Sequence, residues 1–314
     1  MPLLLLPLVP LFCSTITTTL SSVRLIGMYD ADSPGHPGGS DHELKGWTNL
    51  AMSSAENAAA ASRHGGPKNQ LLNLEKVLFN TNTTGNKTAE LLPNWQQRWR
   101  ELRPLAQALF ANKSASGFFF GDELVGGGGL PLQSLVLATD RVRADFPAEQ
   151  YPEAIFFENE AAHIFLWQPS DGHGGPNRWA NFSQWPRALT HVSVDIYHFL
   201  PQGHAPVLCA DGQFNCSAEC IPSPSTPEWN SKVKGKDCAS SVRLFYEEQL
   251  YPRMAPHQKA VLVPGAFAGH TPTGQPPWPC DDSCFDKMAA ADATAYFEWA
   301  KEDPRVDALI PCKF

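Results

Sequence analysis

One recurrence constrains this chain more than any other feature. Eight short apolar runs are each followed by a helical pattern or a long connection, or stand last in the chain. The runs are VRLIGMY (23–29), LKGWTNL (44–50), QLLNLEKVLF (70–79), GFFFGDE (117–123), AIFFENE (154–160), HVSVDIYH (191–198), KAVLVPG (259–265) and VDALIP (306–311). Continuous apolar runs of this length suit strands buried on both faces. Between them, Trp95, Trp99, Leu102, Ala106 and Leu109 recur at steps of three and four. That spacing places them on one helix face. Leu132, Leu135, Val136, Thr139, Val142 and Phe146 mark a second helix, Val242, Phe245, Tyr246 and Leu250 a third, and Met288, Ala291, Ala295 and Trp299 a fourth. The Ala-rich stretch 53–63 is a further helix candidate.

Strands that alternate with helices pair in parallel, because each crossover helix returns the chain to the same edge. Eight such units predict an α/β fold, a (β/α)8 barrel over residues 23–314. The eighth run lies so close to Phe314 that the last helix is not expected. The competing fold is a doubly wound open sheet, which carries a glycine-rich phosphate loop after its first strand. Here that place reads GMYDADSPG, which lacks the spacing. The run Gly126 to Gly129 is not followed by Lys-Ser or Lys-Thr and reads as a flexible loop.

The first 22 residues carry an apolar core, Leu3 to Phe12, followed by small residues. It is too short to span a bilayer, which takes roughly 20 residues, and suits a secretory signal. Five N-x-S/T sequons, at Asn82, Asn86, Asn112, Asn181 and Asn215, agree with export. So do Cys209, Cys216, Cys220, Cys238, Cys280 and Cys284, which fall in two loop clusters and read as disulfide staples. Their spacings are not those of paired zinc knuckles. The first cluster sits in a Cys- and Pro-rich insertion at 199–239. A secreted monomer, or a resident of the secretory lumen, is expected, with no membrane span after signal removal. The net charge is −8 and no block of Lys or Arg occurs, which argues against a nucleic-acid partner.

In (β/α)8 barrels the reactive groups sit at the C-terminal ends of the strands. Here the first five runs end near Asp30, Asn49, Glu75, Asp122-Glu123 and Glu158-Asn159-Glu160, and the sixth at Asp195-Ile196-Tyr197. The last two end without an acid. Paired carboxylates are what glycosidic cleavage needs: one protonates the leaving oxygen, the other attacks or activates water. Glu123 is the candidate proton donor. Asp195 or Glu160 is the candidate second carboxylate. Asp122, Asn159, Tyr197, Asn49, Glu75 and Trp47 are candidates for holding a sugar, and Trp faces suit sugar rings. The sixth run alternates, with Ser193, Asp195 and Tyr197 on one side. No cofactor and no metal are expected.

In the order of its elements, the chain resembles the TIM-barrel glycoside hydrolases. Gly121-Asp122-Glu123 looks like the Asn-Glu acid/base end of strand four in the large retaining clan, with Asp122 in the Asn place. That clan carries a nucleophilic Glu on strand seven, where this chain reads VLVPGAF. Gly117 and Glu123 also match the D-G-x-D-x-D-x-E strand of the chitinase-type family, while Ser116, Phe119 and Gly121 hold its Asp positions. Asp195-Ile196-Tyr197 is similar to that family's Tyr-Asp pair in reversed order. There the substrate's N-acetyl group acts as nucleophile, so the resemblance allows an enzyme without a strand-seven acid, in which Asp195 or Glu160 would orient that group instead of serving as the second carboxylate. The resemblance implies a carbohydrate substrate. Two other functions fit the same residues. One is a barrel that binds carbohydrate without catalysis. The other is a lyase or isomerase with Mg²⁺ on Asp122, Glu160 and Asp195.

Overall fold

The computed structural model describes residues 23–26, 49–55, 57–58, 69–81, 88–161, 163–166, 182–196, 231–232, 238–264 and 294–310. Eight strands form one sheet: β1 (Leu25–Ile26), β2 (Leu50–Ser53), β3 (Asn69–Asn73), β4 (Gly117–Asp122), β5 (Ile155–Ala161), β6 (His191–Asp195), β7 (Lys259–Leu262) and β8 (Val306–Leu309). Their order is β1-β8-β7-β6-β5-β4-β3-β2, and every neighbouring pair is parallel.

The two ends of that order meet. The Asn49 amide donates to Ile26 O at 2.9 Å, and Asn49 Oδ1 accepts the Ile26 N–H at 2.7 Å. Asn49 Nδ2 donates to Arg24 O at 2.9 Å. On its other side, the Asn49 carbonyl accepts from the Asn69 amide and from Asn69 Nδ2, at 3.1 and 2.8 Å. One asparagine thus supplies the rungs that two short strands lack, and the parallel sheet becomes a nearly closed barrel. First and last strands are joined directly, through β1 and β8.

The closed sheet divides the core in two. Leu25, Leu50, Met52, Leu71, Phe119, Ile155, Phe157, Val261, Val263, Ala308 and Ile310 fill the barrel interior. The alternate residues, among them Leu72, Phe118, Phe120, Phe156, Val192, Val194, Ala260 and Leu262, face the helices. This two-sided burial is why the strands read as near-continuous apolar runs.

Helix α1 (Trp95–Ala111) buries Trp99, Ala106 and Leu109, the face its spacing predicts. Pro104 lies within it and removes one backbone donor. Helix α2 (Leu132–Asp145) buries Leu135, Ala138, Thr139 and Val142. Trp99 Nε1 donates to Asp145 Oδ2 at 2.8 Å and ties the two helices together. Helix α3 (Cys238–Phe245) runs on into a π-helical turn, Tyr246–Leu250. A last helix covers 294–302 and buries Trp299. Among the described residues, no helix is long and apolar enough to cross a membrane.

Two strands differ from expectation. The second starts at Leu50, so Asn49 precedes it. The third ends at Asn73, whose Oδ1 accepts the Glu75 amide at 2.9 Å. The Leu78 amide then bonds Leu74 O at 2.9 Å, and Glu75–Leu78 coil into a single helical turn. Phe79–Asn80 pair antiparallel with Glu90–Leu91 in a small hairpin outside the barrel. The expected signal at 1–22 lies outside the described residues. So does the insertion at 199–239, except 231–232 and the start of α3.

Candidate functional site

The C-terminal ends of β4, β5 and β6 meet at one side of the barrel mouth. Asp122 pairs with Asn159, and Asn159 with Ser193, across three consecutive strands. Alternation along β5 turns Ile155, Phe157 and Asn159 inward. The three side chains form one chain of hydrogen bonds. Asn159 Nδ2 donates to Asp122 Oδ1 at 2.8 Å, and the Ser193 hydroxyl donates to Asn159 Oδ1. Asn159 and Ser193 are fully buried, and Asp122 is partly open. Polar groups inside an otherwise apolar barrel are tolerated only when so paired.

Glu123 stands one residue beyond this ladder. Its φ is +49°, the left-handed region that a side chain rarely adopts outside glycine. Its amide donates to Asn159 O at 2.8 Å, and its carbonyl accepts the Gly128 amide at 2.7 Å. The backbone is therefore fixed from both sides in a costly conformation. Such residues cluster at functional sites. Glu123 is partly exposed.

Glu160 does something else. It belongs to the outward set of β5, with Phe156 and Glu158, and is fully buried. Its two oxygens accept the amides of Val125 and Gly126, each at 2.6 Å. These charge-assisted bonds hold the loop that follows Glu123. A Cβ on Gly126 would stand 2.8 Å from Glu160 Oε2 and 2.6 Å from Ile164 Cγ2. A Cβ on Gly127 would meet the Glu123 carboxylate. The glycine run is thus a close fit between two glutamates, in place of the flexible loop its composition suggests. Further bonds lock it: Gly129 N to Val125 O at 3.1 Å, Leu130 N to Leu124 O at 2.8 Å, and Ala89 N to Gly128 O at 2.6 Å.

The other candidates separate. Glu160 faces the helix layer, so it is a loop anchor and not a second carboxylate at the mouth. Asp122 and Glu160 lie on opposite faces of the wall, which breaks up the acid set considered for Mg²⁺. Among the described residues, no group of three or more His, Cys, Asp or Glu is placed to hold a metal. Asn49 lies at the opposite, N-terminal end of the barrel, where it closes the seam. Glu75 starts the helical turn after β3 and accepts the Thr81 hydroxyl at 3.1 Å. Asp195 ends β6, its backbone paired with Ala161. Trp185, one of the loop tryptophans, is 1% exposed and packs edge-on against Phe182 at 4.9 Å. Trp47, Tyr197, Cys209, Cys216, Cys220, Cys280, Cys284, Asn82, Asn86, Asn181 and Asn215 lie outside the described residues. Asn112 is exposed at the C-terminal end of α1.

A second polar cluster, not foreseen from the sequence, closes the barrel floor. His191 Nε2 lies 2.9 Å from Asp307 Oδ2. Arg24 donates to the same carboxylate from Nε and, at 2.8 Å, from Nη2, and reaches Glu153 at 3.1 Å. Thr190 Oγ1 lies 2.8 Å from His191 Nδ1 and accepts the Phe156 amide at 2.8 Å. Burial alone would raise the Asp307 pKa, but the His191 and Arg24 bonds and charges outweigh it and hold it at about 2. No short motif announces this cluster, because its members are spread from residue 24 to 307.

No protein-family model matches the sequence, and no curated protein is significantly similar to it. Among solved structures, the chain is similar to the catalytic domain of a GH26 endo-β-1,4-mannanase from Bacillus sp. JAMB-750. The TM-score is 0.42 at 11% identity, over 92% of this chain and 77% of that one. It is also similar to a double mutant of the Cellulomonas fimi endo-β-1,4-mannanase, with a TM-score of 0.43 at 11% identity, over 93% of this chain and 66% of that one. The barrel here is established by its own strand pairing.

Proposed function

We propose that this chain is a secreted glycoside hydrolase that cleaves O-glycosidic bonds by carboxylate acid/base catalysis. The observation that carries the reading is Glu123: a carboxylate at the barrel mouth, on a backbone held left-handed at φ +49°, directly beyond the hydrogen-bonded Asp122–Asn159–Ser193 ladder. Glycosidic cleavage needs a carboxylic acid that can protonate the leaving oxygen, and a carboxyl at that place suits the task. In this reading Glu123 protonates the leaving oxygen. Asp195, on the third of the three adjacent strands, attacks the anomeric carbon, activates water or orients an N-acetyl group. Asp122, through its open edge, and Asn159, through its hold on Asp122, position the sugar.

The experiment is direct. Purified protein and its Glu123→Gln variant are incubated with a mixed oligosaccharide pool, and products are read by mass spectrometry. Shorter sugars from the wild type alone are expected. Near-normal turnover by the variant would remove Glu123 from the role. Neither β7 nor the described residues after it, Val263 and Pro264, carry an acid, which favours carbohydrate binding without catalysis as the second reading. Retained binding with no products from either protein would select it.

A further inference from the structure

Among the described residues, strands β6 and β7 pair only at their lower ends, His191 with Lys259 and Val192 with Ala260. A parallel ladder in that register would next bond the Val194 amide to Val261 O. A side chain occupies that place. The Tyr246 hydroxyl lies 2.9 Å from Val261 O and 3.0 Å from Val194 O, and accepts the Val194 amide at 3.4 Å. It has one proton to share between the two carbonyls and one oxygen to receive the amide. The phenol therefore replaces the strand-to-strand rung and holds the two strands apart towards the mouth.

Its own position is well determined. Tyr246 is 1% exposed and packs edge-on against Trp299 at 5.1 Å and Tyr251 at 5.9 Å. It opens the π-helical turn 246–250 that follows α3. A π turn re-aims a side chain relative to a regular helix, and such turns are frequent at functional sites. The residue directly after Val194 is Asp195.

We propose that Tyr246 is a positioning residue for Asp195. By fixing Val194 it sets the backbone at the end of β6, the strand that carries Asp195. The inference rests on the glycoside hydrolase reading of the same site. A buried hydroxyl that only filled space would leave the chemistry of Asp195 unchanged.

Two measurements on full-length protein test it. Tyr246→Phe keeps the ring and removes the hydroxyl. It is expected to lower kcat about tenfold while KM stays within about twofold, as for a group that acts in the transition state. In parallel, the Asp195 carboxyl is titrated by carbon-13 NMR in wild type and variant. A displacement of about half a unit or more is expected. An unmoved titration overturns the proposal whatever happens to kcat. If the Phe variant does not fold, para-fluorophenylalanine at 246 fills the hydroxyl's volume without donating, and the same displacement is expected. A wild type that cleaves no glycoside would defeat the hydrolase reading, and the titration would still decide whether Tyr246 positions Asp195.

Discussion

The Glu160 carboxylate accepts the Gly126 amide at 2.6 Å, and its other oxygen takes Val125. Thirty-four residues apart, the two are joined because Glu160 faces outward from β5, under the loop that leaves β4. The strand end that carries Glu123 is thus braced by an acid that never reaches the mouth. Glu160→Gln replaces one acceptor oxygen with an NH2 group, which cannot receive an amide. A loss of about 1–3 kcal/mol is expected in urea denaturation, with turnover falling as the loop loosens. Unchanged stability would mean that the lost bond contributes nothing net.

Gly126→Ala tests the same contact from the other side. The added methyl would press on Glu160 Oε2 at 2.8 Å and Ile164 Cγ2 at 2.6 Å, and Ala161 Cβ at 3.2 Å blocks retreat. Overpacking of this kind costs about 1–3 kcal/mol. A thermal melt that does not move would show that the loop has room to shift.

The seam rests on Asn49. Replacing it with Ala leaves Ile26 N and Arg24 O without their side-chain partners. Unmet backbone groups cost about 1–3 kcal/mol, read as a lower midpoint in chemical denaturation. Because Asn49 is at the floor, the pH profile of any glycosidase activity is expected to keep its shape. A changed profile would bring the residue back towards the substrate.

Asp307 makes a prediction about acid. Its folded pKa of about 2 lies below the ordinary 3.8. A depressed carboxylate adds stability that is present above the unfolded value and is lost as pH falls through the folded one. The groups facing it are His191 from β6 and Arg24 before β1, with Glu153 on the far side of Arg24. Wild-type stability is expected to drop between about pH 4 and pH 2 by on the order of 1 kcal/mol more than that of Asp307→Asn. Parallel pH curves for the two proteins would contradict the assignment.

Much of the architecture was legible in sequence. Near-continuous apolar runs mark strands buried on both faces, and the three-and-four spacing of Trp99, Ala106 and Leu109 marks one helix face. The alternation in β6 already set Ser193 beside Asp195 on one side. The limits of β2 and β3 were not legible, because apolar spacing does not register an Asn side chain standing in for a strand rung, or Asn73 accepting an amide and starting a turn. Glu158, Asn159 and Glu160 read as one acidic cluster, although alternation sends the middle residue inward and its neighbours out. Only the register of β5 against its neighbours says which is which.

The sequence alone determined the number of barrel strands and their parallel sense, since these follow from local periodicity and chain order. The tertiary structure decided what each polar residue does. Glu123 stays at the mouth, Glu160 becomes a loop anchor, Asn49 becomes a seam and Tyr246 takes the place of a ladder rung. Those roles depend on partners 15 to 52 residues away, brought close only when the barrel closes. A hydrogen bond senses distance and direction, and neither is written in the order of the chain.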